Sequence, residues 1–406
     1  MNIRSLNGIS ALQHKNFRLF WFGQMISVMG TWMQNMAQAW LILQITNSPF
    51  LLGLATAIQF TPYLLFSLMA GVIVDRFPKR KLLIVTQLGQ ALLALILGLL
   101  TMTGIVRFWH VLILAGLLGL FSTFDMPGRQ SFVIEMVGKK DLPNAIALNS
   151  TAFNLGRIVG PALAGIVIGK LGIAACFLIN AASFIAVIIG LFLMKALPVI
   201  SIQNSENNIW QNIKEGLKYI HSIPKVFNTI ILMAIMSTFT MNLNVLVPLI
   251  AKNNLNQEAV GFGLLLSALG IGALLGALVL AGTSGKEPSR KNLFFAAGGF
   301  CIFQILFAVC HYYILALVLL ILTGWTMITF TTSVNTTLQL NSSDNFRGRV
   351  MSVYTLVFGG VIPIGSLISG TIAHFLGAPI ALIIGAAIGL GSLLIIVIRE
   401  KNKKQA

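Results

Sequence analysis

Gly71-Val72-Ile73-Val74-Asp75-Arg76-Phe77-Pro78-Lys79-Arg80-Lys81 separates two long apolar runs, and a worn copy of this basic turn returns 210 residues further on. At that offset Gly53 meets Gly263, Pro78 meets Pro288, Arg80 meets Arg290 and Lys81 meets Lys291. At an offset of 205, Gly160 meets Gly365 and Gly165 meets Gly370. The chain is therefore two related halves, each with a short basic turn at the same point of its hydropathy pattern. Repeated halves embedded in lipid are how many secondary transporters are built.

Composition agrees with lipid as the solvent. The 406 residues are 57% hydrophobic and 9% charged, with a mean hydropathy of +0.89; a globular domain carries about 25% charged residues. Apolar runs of about 18 residues or more mark membrane helices. Twelve spans are expected, at 17–45, 50–74, 81–104, 108–127, 143–169, 173–197, 225–251, 258–284, 291–310, 312–337, 346–375 and 378–398. The expected fold is all-α and integral to the membrane, with two pseudo-symmetric six-helix bundles at 1–197 and 225–406. In the linker, 198–224, Trp210, Ile213, Leu217 and Ile220 recur at helical spacing. That spacing predicts an amphipathic helix on the membrane surface, or else a plain tether between bundles.

A net charge of +17 would suggest nucleic acid in a soluble protein, but its placement says otherwise. Of 27 Lys and Arg, 23 lie in the N-terminus, the even-numbered turns, the linker or the C-terminus. The odd-numbered turns hold Arg107, Lys170 and Lys252, and Arg157 lies inside a span. The positive-inside rule then places both termini and the linker in the cytoplasm, in an inner or plasma membrane. No cleavable signal peptide is evident. Cys176, Cys301 and Cys310 fall inside expected spans without paired spacing, so buried thiols are expected and no metal site.

Asp75 closes span 2, and Lys79, Arg80 and Lys81 open span 3. A carboxylate there can hold guanidinium groups by charge-assisted hydrogen bonds, and Asp125 at the same end of span 4 can join them. A topology signal alone explains the Lys and Arg but not Asp75, Gly71 or the echo in the second half. Gly71-x-x-x-Asp75-Arg76-x-x-Lys79-Arg80-Lys81 resembles the loop 2–3 signature of the major facilitator superfamily, and the resemblance extends over essentially the whole chain. It implies that Asp75, Arg80 and Asp125 form a cytoplasmic latch that steadies the outward-open state and breaks as the bundles rock. Gly71, Arg76 and Arg129 complete the gating candidates. In the second copy Gly285 stands where Asp75 stands, which implies a weak latch there.

Span 5 narrows the class. Gly156-Arg157-Ile158-Val159-Gly160-Pro161-Ala162-Leu163-Ala164-Gly165 resembles the exporter signature of the superfamily. Its small residues recur every four positions, giving a face that another helix can approach closely. Gly272 and Gly276 of span 8 offer a matching face, and Pro161 permits a bend. A generic packing seam is the plainer reading. Asp125-Met126-Pro127-Gly128-Arg129-Gln130, Leu142-Pro143-Asn144-Ala145 and Asn154 resemble the drug and siderophore exporter group, which includes the enterobactin exporter and macrolide efflux proteins.

Arg157 stands near mid-membrane, where a charge needs a partner or a wet cavity. It is either an anchor for an anionic or phenolic substrate, with Asn154 one turn away, or a structural charge bonded to carbonyls and to the amides of span 1. Span 1 carries Gln24, Ser27, Thr31, Gln34 and Gln38 on one face, beside Asn35. Span 7 offers Ser237, Thr240 and Asn244, and span 10 offers Trp325, Thr326, Thr329 and Ser333. Unpaired amides cannot face lipid, so these stripes line a cavity or bond between helices. In the resembled family spans 1, 4, 7 and 10 line the central cavity. The substrate candidates are thus Gln24, Thr31, Gln34, Gln38, Asn154, Arg157, Asn244 and Trp325.

No acid–base cluster lies at mid-depth, which argues against an intramembrane enzyme, and no phosphate-binding loop points to an ATP-driven pump. Proton antiport is implied by the resemblance alone. The expected protein is a monomeric secondary exporter of a siderophore or drug, with no cofactor and no nucleic-acid partner. A lysophospholipid flippase of related architecture is the alternative, followed by a non-transporting sensor.

Overall fold

A computed structural model of the chain describes residues 7–194, 209–282 and 289–405. Every regular element among them is helical. After a 3-10 turn at Asn7–Gln13 come α1 (Lys15–Thr46), α2 (Pro49–Arg76), α3 (Lys79–Met102), α4 (Phe108–Leu171) and α5 (Ile173–Phe192). The rest of the linker that is described is α6 (Ile209–Ser222). The second half holds α7 (Pro224–Phe239), α8 (Leu243–Asn253), α9 (Ala259–Gly282), α10 (Arg290–Ala308), α11 (Tyr313–Leu340), α12 (Asp344–Thr355), α13 (Ile362–Leu376) and α14 (Ala378–Gln405). Start signals are local: Ser48 caps α2 ahead of Pro49, and the Ser289 hydroxyl accepts from the Asn292 amide at the head of α10.

Ten helical stretches among the described residues are long and apolar enough to cross a membrane. One of them, α4, runs 64 residues. At about 1.5 Å per residue a straight helix of that length would be three times the bilayer core. It reverses at Gly138, where φ is 71° and ψ 175°. Gly119 packs on Gln59, which is bonded to Gln38 of α1, while Gly160 packs on Trp32 and Met33 of the same helix. Residues 119 and 160 therefore lie at similar depth on antiparallel arms, and spans 4 and 5 are both accounted for. The 32-residue α1 falls outside the ten because its Gln and Asn residues lower its hydropathy. Twelve crossings are compatible with this count.

The reversal is held by the N-terminal turn. Ser10 donates to Asp141 (2.8 Å), His14 bonds the same carboxylate (2.9 Å), and the Ala11 amide donates to Asn144 (2.9 Å). Only glycine accepts the Gly138 backbone without strain, and a side chain there costs about 1–3 kcal/mol. Gly138→Val is expected to lower the melting temperature in detergent by several degrees, read by thermal-shift assay. An unchanged transition would mean the reversal does not depend on that residue.

Two expected spans are not continuous. Span 7 breaks between α7 and α8 at Thr240–Asn242, and the freed Thr240 carbonyl accepts from Gln304 of α10 (3.1 Å). Span 11 is interrupted by a π turn at Leu356–Gly360, whose Phe358 carbonyl accepts from Ser237 (2.7 Å). A buried side chain thus satisfies one carbonyl that each break exposes. The expected turn at 128–142 is likewise helical up to Gly138.

α6 lies against the second half. Its Tyr219 ring stacks on Phe346 at 4.3 Å, its hydroxyl accepts from the Ser343 amide (2.8 Å), and Glu215 pairs with Arg349 (2.6 Å). Ile220 is buried and Leu217 exposed, while the side chains of Trp210 and Ile213 lie outside the described residues.

The apolar core is divided unevenly. Met33–Leu43 of α1, Leu52 and Ala55 of α2, Ala164 of α4 and Phe177 of α5 share one core with α8, α9 and the rest of the second half. Phe17, Phe20, Trp21, Leu83, Phe132 and Val187 form a separate core nearer the basic turns. The halves are fused by packing at the end away from the basic turns, here called the far end.

Candidate transport pathway and gate

Two seams join the halves, and two of the three glycine pairs that match between the repeats form both. In the first, α4 meets α9. A Cβ added to Gly165 would lie 2.8 Å from the Ala259 carbonyl, and one on Gly263 would strike the Pro161 carbonyl and stand 3.4 Å from the Gly165 Cα. Ser267 ties the seam by donating to the Ile158 carbonyl (2.6 Å). In the second, α2 meets α13. A Cβ on Gly53 would lie 2.5 Å from the Ser366 carbonyl and 3.0 Å from the Gly370 Cα. Gly53 corresponds to Gly263, and Gly370 to Gly165, at the two repeat offsets. Each seam is the symmetry-related copy of the other, with two glycines letting backbones touch.

Near the seams the far end is plugged by Trp40 stacked on Phe262, with ring centroids 5.6 Å apart. The exporter-like face of α4 serves two neighbours. Gly156 and Gly160 abut Val28, Met29 and Trp32 of α1, while Pro161 and Gly165 face α9. The expected match with Gly272 and Gly276 is corrected: both press on α11, at the carbonyls of Ile321 and Trp325. Gly272 lies nine residues beyond Gly263, half a turn around the helix, so it faces the opposite way.

The polar stripe of α1 also divides. Gln34 accepts from Asn180 of α5 (2.6 Å) and Gln38 donates to Gln59 of α2 (3.1 Å); both are buried. Those amides bond helices together. Gln24, Thr31 and Asn35 occupy the remaining face with partial or full exposure, and the Gln24 Oε1 has no partner. Asn244 is exposed just beyond the break in span 7, and Trp325 is 39% exposed on α11. Arg157, half-buried on α4, donates from Nη2 to the Asn154 Oδ1 (3.0 Å), and its Nε has no partner. Among the described residues no carboxylate pairs with it, and no amide of α1 reaches it.

Of the gating candidates, Asp125 is buried and accepts from Thr86 (2.7 Å) and Gln87 (2.8 Å) of α3. It pairs with Arg129 one turn along its own helix, not with Arg80. Arg80 instead donates to the Phe192 carbonyl at the end of α5 (3.0 Å). The Asp75 side chain lies outside the described residues. Arg76 is exposed, and a Cβ on Gly71 would meet nothing within 4 Å. In the second half, Arg290 is far from weakly held. It binds Glu400 of α14 through both Nη2 and Nε (3.1 Å for Nε), and Nη1 donates to Thr229 (2.6 Å). Asn228 adds a bond to Glu400 (3.2 Å). The carboxylate that holds Arg290 lies 110 residues away in sequence, and nothing local in the sequence announces it.

Repeated halves, apolar helices and glycine seams between them are the architecture of a membrane transporter of the major facilitator fold. Residues 6–405 match the transmembrane secretion effector family, and the chain belongs to that family. It is similar to the staphyloferrin A transporter of Staphylococcus aureus, 26% identical over 363 residues that cover 89% of this chain and 90% of the relative. It is also similar to the multidrug efflux pump Tap of Mycolicibacterium fortuitum, 26% identical over 370 residues, with 88% and 89% coverage. The solved structure of the nucleoside transporter NupG shares the fold at a TM-score of 0.76 and 10% identity, covering 95% of this chain and 98% of that one.

Proposed function

We propose that the protein exports a small amphipathic compound, a siderophore or a drug with an anionic or phenolic group, by alternating access. The observation that carries this reading is Arg157. A guanidinium at mid-membrane costs about 2.5–3.5 kcal/mol even by the lowest scale. Here one neutral amide from its own helix meets it, and its Nε is left over. The structural alternative needed helix carbonyls and amides of α1; among the described residues Arg157 bonds no carbonyl and no α1 amide, and Gln34 and Gln38 are engaged elsewhere. An anionic cargo would complete the site with the charge-assisted bonds that the protein withholds. Gln24, Thr31, Asn35, Asn244 and Trp325 would line the path, and Asn154 would orient the guanidinium.

Fusion at the far end with separate packing near the basic turns is the arrangement of a transporter loaded from the basic side. With basic turns and termini in the cytoplasm, that state takes up cargo from the cytoplasm, as an exporter must. The two bundles, 1–197 and 225–406, would rock about the paired seams. The coupling ion is taken to be the proton and the working unit a monomer.

The test is flux in proteoliposomes, with a catecholate siderophore and a cationic drug as separate cargoes and an imposed pH gradient switched on or off. Wild-type protein should move the siderophore when the gradient is present. Arg157→Ala should reduce that flux at least about tenfold, the loss of one charge-assisted bond, and Arg157→Lys should restore part. Equal siderophore flux in wild type and Arg157→Ala would make the residue structural and leave a broad drug pump.

A further inference from the structure

Lys252 is one of only three cations in the odd-numbered turns, where topology disfavours them. It ends α8, the second segment of the broken first span of the second half. Its Nζ donates to the Leu43 carbonyl (3.2 Å) and to the Asn47 Oδ1 (3.1 Å), both at the end of α1. The first spans of the two halves therefore meet at their far ends through one ammonium group. α1 is built to receive it. Its last turn exposes carbonyls and the negative end of the helix dipole. Asn47 caps it in the left-handed region, φ 46°, with its own N–H donating to the same Leu43 carbonyl (3.1 Å). That conformation, tolerated by asparagine, accompanies an amide oxygen in reach of Lys252.

We infer that Lys252 is a positioning residue for transport, a lock that holds the far end shut over the Trp40–Phe262 plug by capping α1 across the two halves. It is placed to act as a lock because its acceptors belong to the opposite half, so the bonds survive only while the far ends touch. Opening separates donor from acceptors, and water replaces both. The partly exposed site makes the lock modest, which suits a bond that must break in every cycle. Arg290–Glu400, by contrast, joins helices of one half and would ride through the motion intact. This inference rests on the alternating-access reading for the meaning of opening, yet the lock can be tested without cargo.

Thr31→Cys is introduced into full-length protein whose native Cys176, Cys301 and Cys310 are replaced. The residue lies on the interior face below the plug. In sealed vesicles a membrane-impermeant maleimide is applied from the far-end side. Lys252→Ala is expected to raise the labelling rate roughly three- to tenfold, the range for losing charge-assisted bonds at a partly exposed site. Lys252→Arg should return it toward wild type, and Asn47→Ala should give a smaller rise. A labelling rate unchanged in Lys252→Ala, in protein of normal melting temperature, would overturn the lock. Faster labelling accompanied by a lowered melting temperature and no rescue by arginine would overturn it too, as general loosening. If labelling shifts as expected while the wild-type protein moves no cargo in the flux assay, the lock stands and the export reading fails.

Discussion

Gly263→Leu is expected to cut transport by about 10- to 100-fold while leaving a folded, membrane-inserted protein. Gly263 sits where α9 crosses α4, a Cβ there would strike the Pro161 carbonyl, and no side chain fits without parting the helices. Overpacking a tight contact costs about 1–3 kcal/mol, and each 1.4 kcal/mol is about tenfold in a population. The cost falls on the state in which the seam is closed, so the protein should dwell open at the far end. Gly53→Leu should do the same from the other seam, because Gly53 meets Gly370 as Gly263 meets Gly165. Gly272→Leu is the informative control. It clashes just as directly with the Ile321 carbonyl, but that contact lies inside one half. It should lower the melting temperature without shifting the balance of open and closed ends. Similar behaviour of all three variants would remove the special status of the seams.

Arg129→Ala should be the most destabilising single change in the first half. It strips the charged partner from Asp125, a carboxylate packed between α3 and α4 and left with two neutral donors. Breaking a buried pair from one side costs about 3–5 kcal/mol. The expected outcome is a steep fall in the yield of monodisperse protein and in melting temperature. Asp125→Asn combined with Arg129→Gln should recover much of that loss, since the buried charge then disappears with its partner. Arg129→Ala with wild-type stability would mean that Asp125 is paired elsewhere or neutral.

The architecture was legible in the chain because lipid imposes length and hydropathy on every crossing, and the repeat made the halves visible. Of the glycine pairs that aligned between halves, Gly53/Gly263 and Gly165/Gly370 touch across the seams, where only glycine permits backbone contact, while Gly160 and Gly365 pack within their own halves. The packing partners were harder to read. Gly272 and Gly276 looked equivalent to the α4 face because spacing gives a face but not its neighbour. The α1 stripe read as one surface, yet Gln34 and Gln38 turn toward Asn180 and Gln59, and only Gln24, Thr31 and Asn35 remain open. The broken span 7 left a faint trace in Asn242, Asn244 and Pro248. Nothing in sequence joined Lys252 to Leu43, or Arg290 to Glu400, since those bonds depend on which helix ends the fold brings together.

The most direct measurement is the pair of distances across the two ends, by pulsed electron spin resonance on spin labels in liposomes. One pair sits at Thr103 and His311 on the far end, the other at Lys81 and Lys291 on the basic end, all exposed positions. Export by alternating access requires the far-end distance to lengthen as the basic-end distance shortens when cargo and a proton gradient are supplied, with Gly263→Leu holding the far end open in their absence. Two distance distributions that stay fixed under every condition, in protein that still moves cargo, would contradict alternation of the halves about the glycine seams.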